Sequence, residues 1–149
     1  MKCVAVFQNK LKGFVLFEQK SDYVLVSGIV EGLQKNSLHG IHIHEHGDLR
    51  NGCESACAHF NPFNKDHGGR EDVERHVGDL GNIETDNQGI AHFKFKDKII
   101  SLKNNKRNII GRSVVIHKDR DDLGKGGDKE SLKTGNAGKR LDCAVIGIC

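Results

Sequence analysis

The chain has no tryptophan, one tyrosine (Tyr23), one proline and one methionine among 149 residues. Without aromatic residues in series there is no ladder on which nucleobases could stack. A net charge of +3 is also far from the concentrated basic stripe of a nucleic-acid binder. No apolar run approaches the roughly 20 residues that span a bilayer, so neither nucleic acid nor membrane is expected as a partner. The opening segment, Met1-Lys2-Cys3-Val4-Ala5-Val6-Phe7-Gln8, is too short and too soon polar for a secretory signal, which predicts the cytosol. No segment sustains a 3.6-residue apolar period over three turns, so helices are not expected to carry the fold. Cysteines number five (Cys3, Cys53, Cys57, Cys143 and Cys149); composition and compartment alone make them free thiols.

Eighteen glycines and nine histidines are the features in excess. Glycine-rich turns between short apolar runs point to β-structure. Those runs are Cys3 to Phe7, Phe14 to Phe17, Tyr23 to Val30, Ile41 to His44, Ile90 to Phe95, Ile109 to His117 and Cys143 to Ile148. Ala91-His92-Phe93-Lys94-Phe95-Lys96 alternates as a half-buried strand does. Several strands with no helices between them predict an antiparallel sandwich or barrel. The length suits one domain, residues 1–149. Residues 49–82 and 118–142 interrupt the rhythm as long, polar, glycine-rich loops of the kind that carry function.

The histidines fall where metal chemistry would want them. Alternate residues of a strand share a face, so His42 and His44 offer two imidazoles from one rigid surface. The run His42-Ile43-His44-Glu45-His46 leaves open whether the pair is 42/44 or 44/46. The first loop supplies His59, His67, His76 and Asp79 within 21 positions, and three imidazoles with one carboxylate suit a tetrahedral zinc site. A solitary His-x-His is usually a surface edge, but the loop set has no role in a core.

Longer motifs then resemble the copper/zinc superoxide dismutase signature. They are Gly40 to Glu45, Gly47-Asp48, Cys53, His59-Phe60-Asn61-Pro62, His67-Gly68-Gly69 and Arg75 to Asn82. Ile110 to His117, Asp121 to Gly127, Thr134 to Leu141 and Cys143 to Gly147 complete them. The resemblance runs through nearly the whole chain and is least distinctive in the first 38 residues. It implies an all-β fold, an eight-stranded antiparallel Greek-key β-barrel or flattened sandwich with two long functional loops. It implies an oxidoreductase that disproportionates superoxide to dioxygen and hydrogen peroxide by Cu(II)/Cu(I) cycling beside zinc. One copper and one zinc per subunit are expected. By the same resemblance His42, His44, His59 and His117 are copper ligands, which selects 42/44. His59 doubles as the bridging imidazolate and a proton donor to the product, and His67, His76 and Asp79 complete the zinc site. Asp121 joins a copper histidine to a zinc histidine, and Arg140 receives the anionic substrate. Cys53 and Cys143 are the expected disulfide, against the compartment prior. A homodimer and a copper chaperone as partner are implied as well.

Lys125, Lys129 and Lys133 would add a positive field to the second loop, Lys129 standing where relatives often carry an acidic residue. Cys57, where the family usually has glycine, is a free thiol or a rival partner for Cys143. His46 replaces a usual aromatic beside the family's dimer contact, which predicts a dimer weakened below about pH 6.5. His39 and His92 match no ligand and read as structural or surface residues. The competing readings are a non-enzymatic copper-chaperone or metal-binding relative, and a structural zinc domain. The first would lack a copper ligand or the arginine; the second would leave His42, His44, His117 and Arg140 without a reason.

Overall fold

The computed structural model describes residues 1–149. Its strands are β1 (Lys2–Phe7), β2 (Lys12–Gln19), β3 (Val24–Glu31), β4 (Leu38–His44), β5 (Arg50–Cys53), β6 (Asp79–Glu84), β7 (Ala91–Asp97), β8 (Ser113–His117) and β9 (Arg140–Ile148). All but the short β5 join one antiparallel sheet in the order β6-β4-β8-β9-β1-β2-β3-β7. Its edges, β6 and β7, pack together without a hydrogen-bonded ladder, so the eight strands form a nearly closed barrel. The β3–β4 and β7–β8 connections each cross over intervening strands in the Greek-key manner. No helix is long and apolar enough to cross a membrane; the one α-helix, α1, is a single turn at Ser131–Thr134.

The barrel closes on the alternation read in the sequence. Cys3, Ala5, Val15, Phe17, Val24, Val26 and Val30 are fully buried and meet Ile41, Ile43 and Ile116 in one core. β-branched residues dominate because they pack well on a pleated surface. Strand β4, like β8, buries both faces. Ile41 and Ile43 enter the core, while His42 and His44 lie beneath the two loops, with all four near zero exposure.

Two expected boundaries move. The run Ile109 to His117 becomes a strand only from Ser113, because Gly111 adopts φ 82° and Arg112 N–H closes a turn on the Ile109 carbonyl. The loop expected over 49–82 contains β5 at its start and β6 at its end, so Asp79 begins a strand. β6 escapes an alternation test because its apolar residues, Leu80 and Ile83, stand three apart. Gly81 lies between them at φ 79°, opposite a register shift between Gly40 and His42.

Candidate metal centre

Strand β4 provides His42 and His44, β8 ends at His117, and β6 opens with Asp79. His59 is tied to the same strand end: it bridges to His44, and Phe60 N–H donates to the Ile43 carbonyl at 2.8 Å. All seven ligand candidates, His42, His44, His59, His67, His76, Asp79 and His117, are buried in one cluster. His46 is exposed and lies outside this buried cluster, which holds His42 and His44. His39 is buried between the His117 carbonyl and Ser37 Oγ, each 2.9 Å away, and His92 is exposed.

The ring orientations follow from acceptor-only partners. His44 Nδ1 lies 2.7 Å from the Cys57 carbonyl, His117 Nδ1 lies 3.0 Å from the Gly138 carbonyl, and His42 Nε2 lies 2.6 Å from Asp121 Oδ2. Each partner requires a donated proton, so the opposite ring nitrogen carries a lone pair. Those nitrogens, His42 Nδ1, His44 Nε2 and His117 Nε2, are buried without a hydrogen-bond partner. Together with His59 they form a group whose ligand atoms lie within 4.8 Å of one another. Unpaired buried acceptors are costly, and a cation is what would satisfy several at once.

The second half of the cluster turns on Asp79. Its Oδ2 accepts N–H bonds from Gly68 at 3.0 Å and His76 at 2.7 Å. Its Oδ1 faces Nδ1 of His59, His67 and His76 at 3.1, 2.9 and 3.2 Å, and the His59 and His76 nitrogens stand 3.1 Å apart. Ligands spaced by 3.1 Å on a tetrahedron surround a centre about 1.9 Å from each, near the roughly 2.0–2.1 Å of a zinc–nitrogen bond. The residues therefore fit zinc there, as the three orphaned lone pairs and His59 fit copper alongside.

Burial holds His42 and His44 well below the usual imidazole range, reinforced by the neighbouring rings. His117 is lowered to about 4, by burial first, despite the Gly138 hydrogen bond. His59 is also lowered, burial outweighing Asp79. These rings are neutral and free to bind a cation at neutral pH. For His67 burial pulls downward, but hydrogen bonds to Asp121 and Asp79 prevail and raise it to about 9. Burial presses upward on Asp79, yet the three surrounding histidines keep it ionised.

Asp121 joins the two halves, Oδ2 accepting from His42 and Oδ1 from His67 Nε2 at 2.7 Å. Asn82 holds it in turn, accepting from Asp121 N–H at 2.7 Å and donating to its carbonyl at 3.0 Å. Sequence reasoning gave Asn82 no role, nor Arg75. Buried Arg75 donates to the carbonyls of Arg70, His76 and Val77 and to Asp97 Oδ2, fastening the zinc-side loop to β7. With Arg50 and Arg70 in the same expected loop, residue type alone did not mark it.

A cleft of about 1130 Å³ opens onto His44, His59 and His117. Arg140 and Lys133 line it, and so does Lys65, which sequence reasoning missed; Lys125 and Lys129 do not. Arg140 is half-buried, with Nη1 held by the Cys53 carbonyl at 2.7 Å. Cys53 is bonded to Cys143 across 90 residues, leaving Cys3, Cys57 and Cys149 free.

A family model described as copper/zinc superoxide dismutase matches residues 11–146. A protein of Xenopus laevis named superoxide dismutase [Cu-Zn] A is 58% identical over 148 residues, covering 99% of this chain and 96% of its own. One of Paramecium bursaria Chlorella virus 1, named superoxide dismutase [Cu-Zn], is 55% identical over 147 residues, covering 99% and 78%. Among solved structures, that of the clock protein EA4 superposes with a TM-score of 0.95 at 45% identity, covering 99% and 94%.

Proposed function

From the premise that the chain belongs to the copper/zinc superoxide dismutase family, we propose how its residues divide the work. It is an oxidoreductase that disproportionates superoxide to dioxygen and hydrogen peroxide, with copper and zinc as cofactors. Copper supplies a one-electron couple, and zinc, which has no redox chemistry, supplies charge and anchorage.

In our assignment His42 Nδ1, His44 Nε2, His117 Nε2 and His59 hold copper. His59, His67 and His76 through Nδ1, with Asp79 Oδ1, hold zinc. The observation that carries this reading is the set of buried imidazole nitrogens whose other ring nitrogen is committed to an acceptor. His59 faces the zinc-side ligands through Nδ1, so Nε2 is the atom at which it takes up and returns a proton during turnover. Asp121 fixes the tautomers of His42 and His67 together. Arg140 draws the anion into the cleft, its guanidinium charged at every working pH. Lys65 and Lys133 add to that field, and Glu45, Asp66 and Glu130 on the same walls limit it.

Residues 1–149 act as one domain of this kind, in the cytosol, as a homodimer supplied by a copper chaperone. Support for the dimer is the exposed apolar set Val6, Val145 and Ile148 on β1 and β9. The exposed His46 makes that dimer weaker in acid, and equal dissociation constants by sedimentation at about pH 8 and 5.5 would contradict this. The full ligand set and Arg140 give no reason to prefer a non-enzymatic relative.

The ligand assignment is tested by metal content. His42→Ala retains zinc and loses copper, whereas His76→Ala loses zinc first. A variant that keeps both metals at wild-type affinity contradicts its assignment.

A further inference from the structure

The two ends of the sheet, β6 and β7, meet in a seam without a ladder. That seam is as far in strand order as the sheet allows from β1 and β9, the strands of the proposed dimer contact. One cation lies across it. Arg70, three residues beyond His67 in the zinc-side loop, stacks its guanidinium on the Phe95 ring of β7, with Cζ 3.7 Å from the ring centroid. Its Nε runs beside β6, 3.8 Å from the place a β-carbon on Gly81 would take. Phe95 and its neighbour Phe93, with ring centroids 6.4 Å apart, pack against the core from an edge strand and are only half-buried. Arg70 therefore covers apolar surface that the missing strand pairing leaves open. The ring is its partner, since no hydrogen bond or ion pair holds the guanidinium. Gly68 and Gly69 carry no side chain, so Arg70 is the first residue after His67 that can reach the barrel. At the other end of the segment, beside His76, Arg75 Nη1 donates to the Arg70 carbonyl at 2.9 Å.

We propose that Arg70 is a positioning residue for the zinc half of the centre: stacked on Phe95, it clamps the segment between His67 and His76 to the barrel, given that this half holds zinc. Unclamped, the segment must be ordered each time the two imidazoles close on an ion, and that cost emerges as weaker binding and faster release. A guanidinium on a half-buried aromatic face corresponds to about fivefold in an equilibrium constant. Arg75 fixes the His76 end through its hydrogen bonds to backbone carbonyls and Asp97, and Arg70 fixes the His67 end through the ring. Both anchors reach β7, so the closure of the barrel and the placing of the two imidazoles are parts of one contact set.

Zinc release to a chelator is followed in wild type, Arg70→Ala, Phe95→Leu, the double variant and Phe95→Tyr, each loaded with copper and zinc. Arg70→Ala and Phe95→Leu release zinc about fivefold faster. The double variant is no faster than the quicker single one, and Phe95→Tyr, which keeps an aromatic face, stays near wild type. Copper content is unchanged throughout, and melting of the metal-free variants shows each to be folded. Cobalt(II) bound in place of zinc tests the underlying assignment separately, giving wild type the absorption of a four-coordinate ion. Without that absorption the zinc assignment falls, and the clamp with it. With it, release from Arg70→Ala at the wild-type rate, or full additivity of the two substitutions, overturns the clamp alone.

Discussion

Replacing both Cys53 and Cys143 by serine removes a cross-link that closes 90 residues of chain. On the loop-entropy model such a closure lowers the entropy of the unfolded chain enough to stabilise the fold by about 4.6 kcal/mol at 25 °C. For a chain of this length each kcal/mol moves the melting temperature by roughly 2–4 °C, so a fall of about 9–18 °C is expected. The comparison belongs to metal-free protein at one fixed concentration, because bound metal and subunit association add stability of their own. Guanidinium unfolding supplies the free energy and calorimetry the melting temperature. The native-state consequence differs. The Cys53 carbonyl accepts from Arg140 Nη1, and the turn after Cys53 leads to Cys57, whose carbonyl orients His44. The variant should therefore lose activity even where it is fully folded and loaded. A loss below about 1 kcal/mol would refute the entropic reasoning, and full activity in the folded, loaded variant would refute the positioning of Arg140 through Cys53.

Asp121→Asn leaves one acceptor oxygen where two imidazoles now donate, so retention of at least one metal against a chelator should fall by about 10–100-fold; unchanged retention of both would contradict the bridging role. In metal-free protein the His67 ring, raised to about 9, is protonated at neutral pH and must lose a proton to bind zinc. Zinc uptake near pH 7 therefore releases a proton, and affinity rises with pH until about 9 and then levels. Calorimetry in buffers of different ionisation enthalpy would disprove this if no proton were released. Lys133 lines the cleft and Lys129 does not, and one unit charge about 10 Å from the substrate in water is worth roughly 0.4 kcal/mol, about twofold. Lys133→Gln should lower kcat/KM at low salt by about that factor and flatten its salt dependence, with Lys129→Glu changing less; the reverse order would put the field elsewhere.

The strands that the sequence displays are short apolar runs. Those within β1 and β2 are apolar throughout although only alternate residues of them are buried, whereas in β7 apolar residues recur every second position. In β6 this fails because Gly81 takes a left-handed conformation and Leu80 and Ile83 both reach the core from three residues apart. His42 and His44 could not be separated from His46 by spacing, since all three lie at the same period. What separates them is position along β4: the strand ends at His44, and the chain beyond it turns out to solvent. The loop ligands were visible as residue types, and the longer motifs gave them an order. Contacts made across the fold left no such trace. Arg75 reaches three carbonyls and Asp97, and Asn82 clamps Asp121 from 39 residues away. Lys65 shares the cleft wall with His44 and His59, a neighbourhood that spacing along the chain does not show.

The central claim is tested most directly by metal analysis joined to an assay of superoxide removal, before copper is withdrawn, after it, and after its return. The account predicts near-stoichiometric copper and zinc per chain, activity lost with copper and recovered when copper is restored. Full occupancy by both metals with no superoxide removal would contradict it.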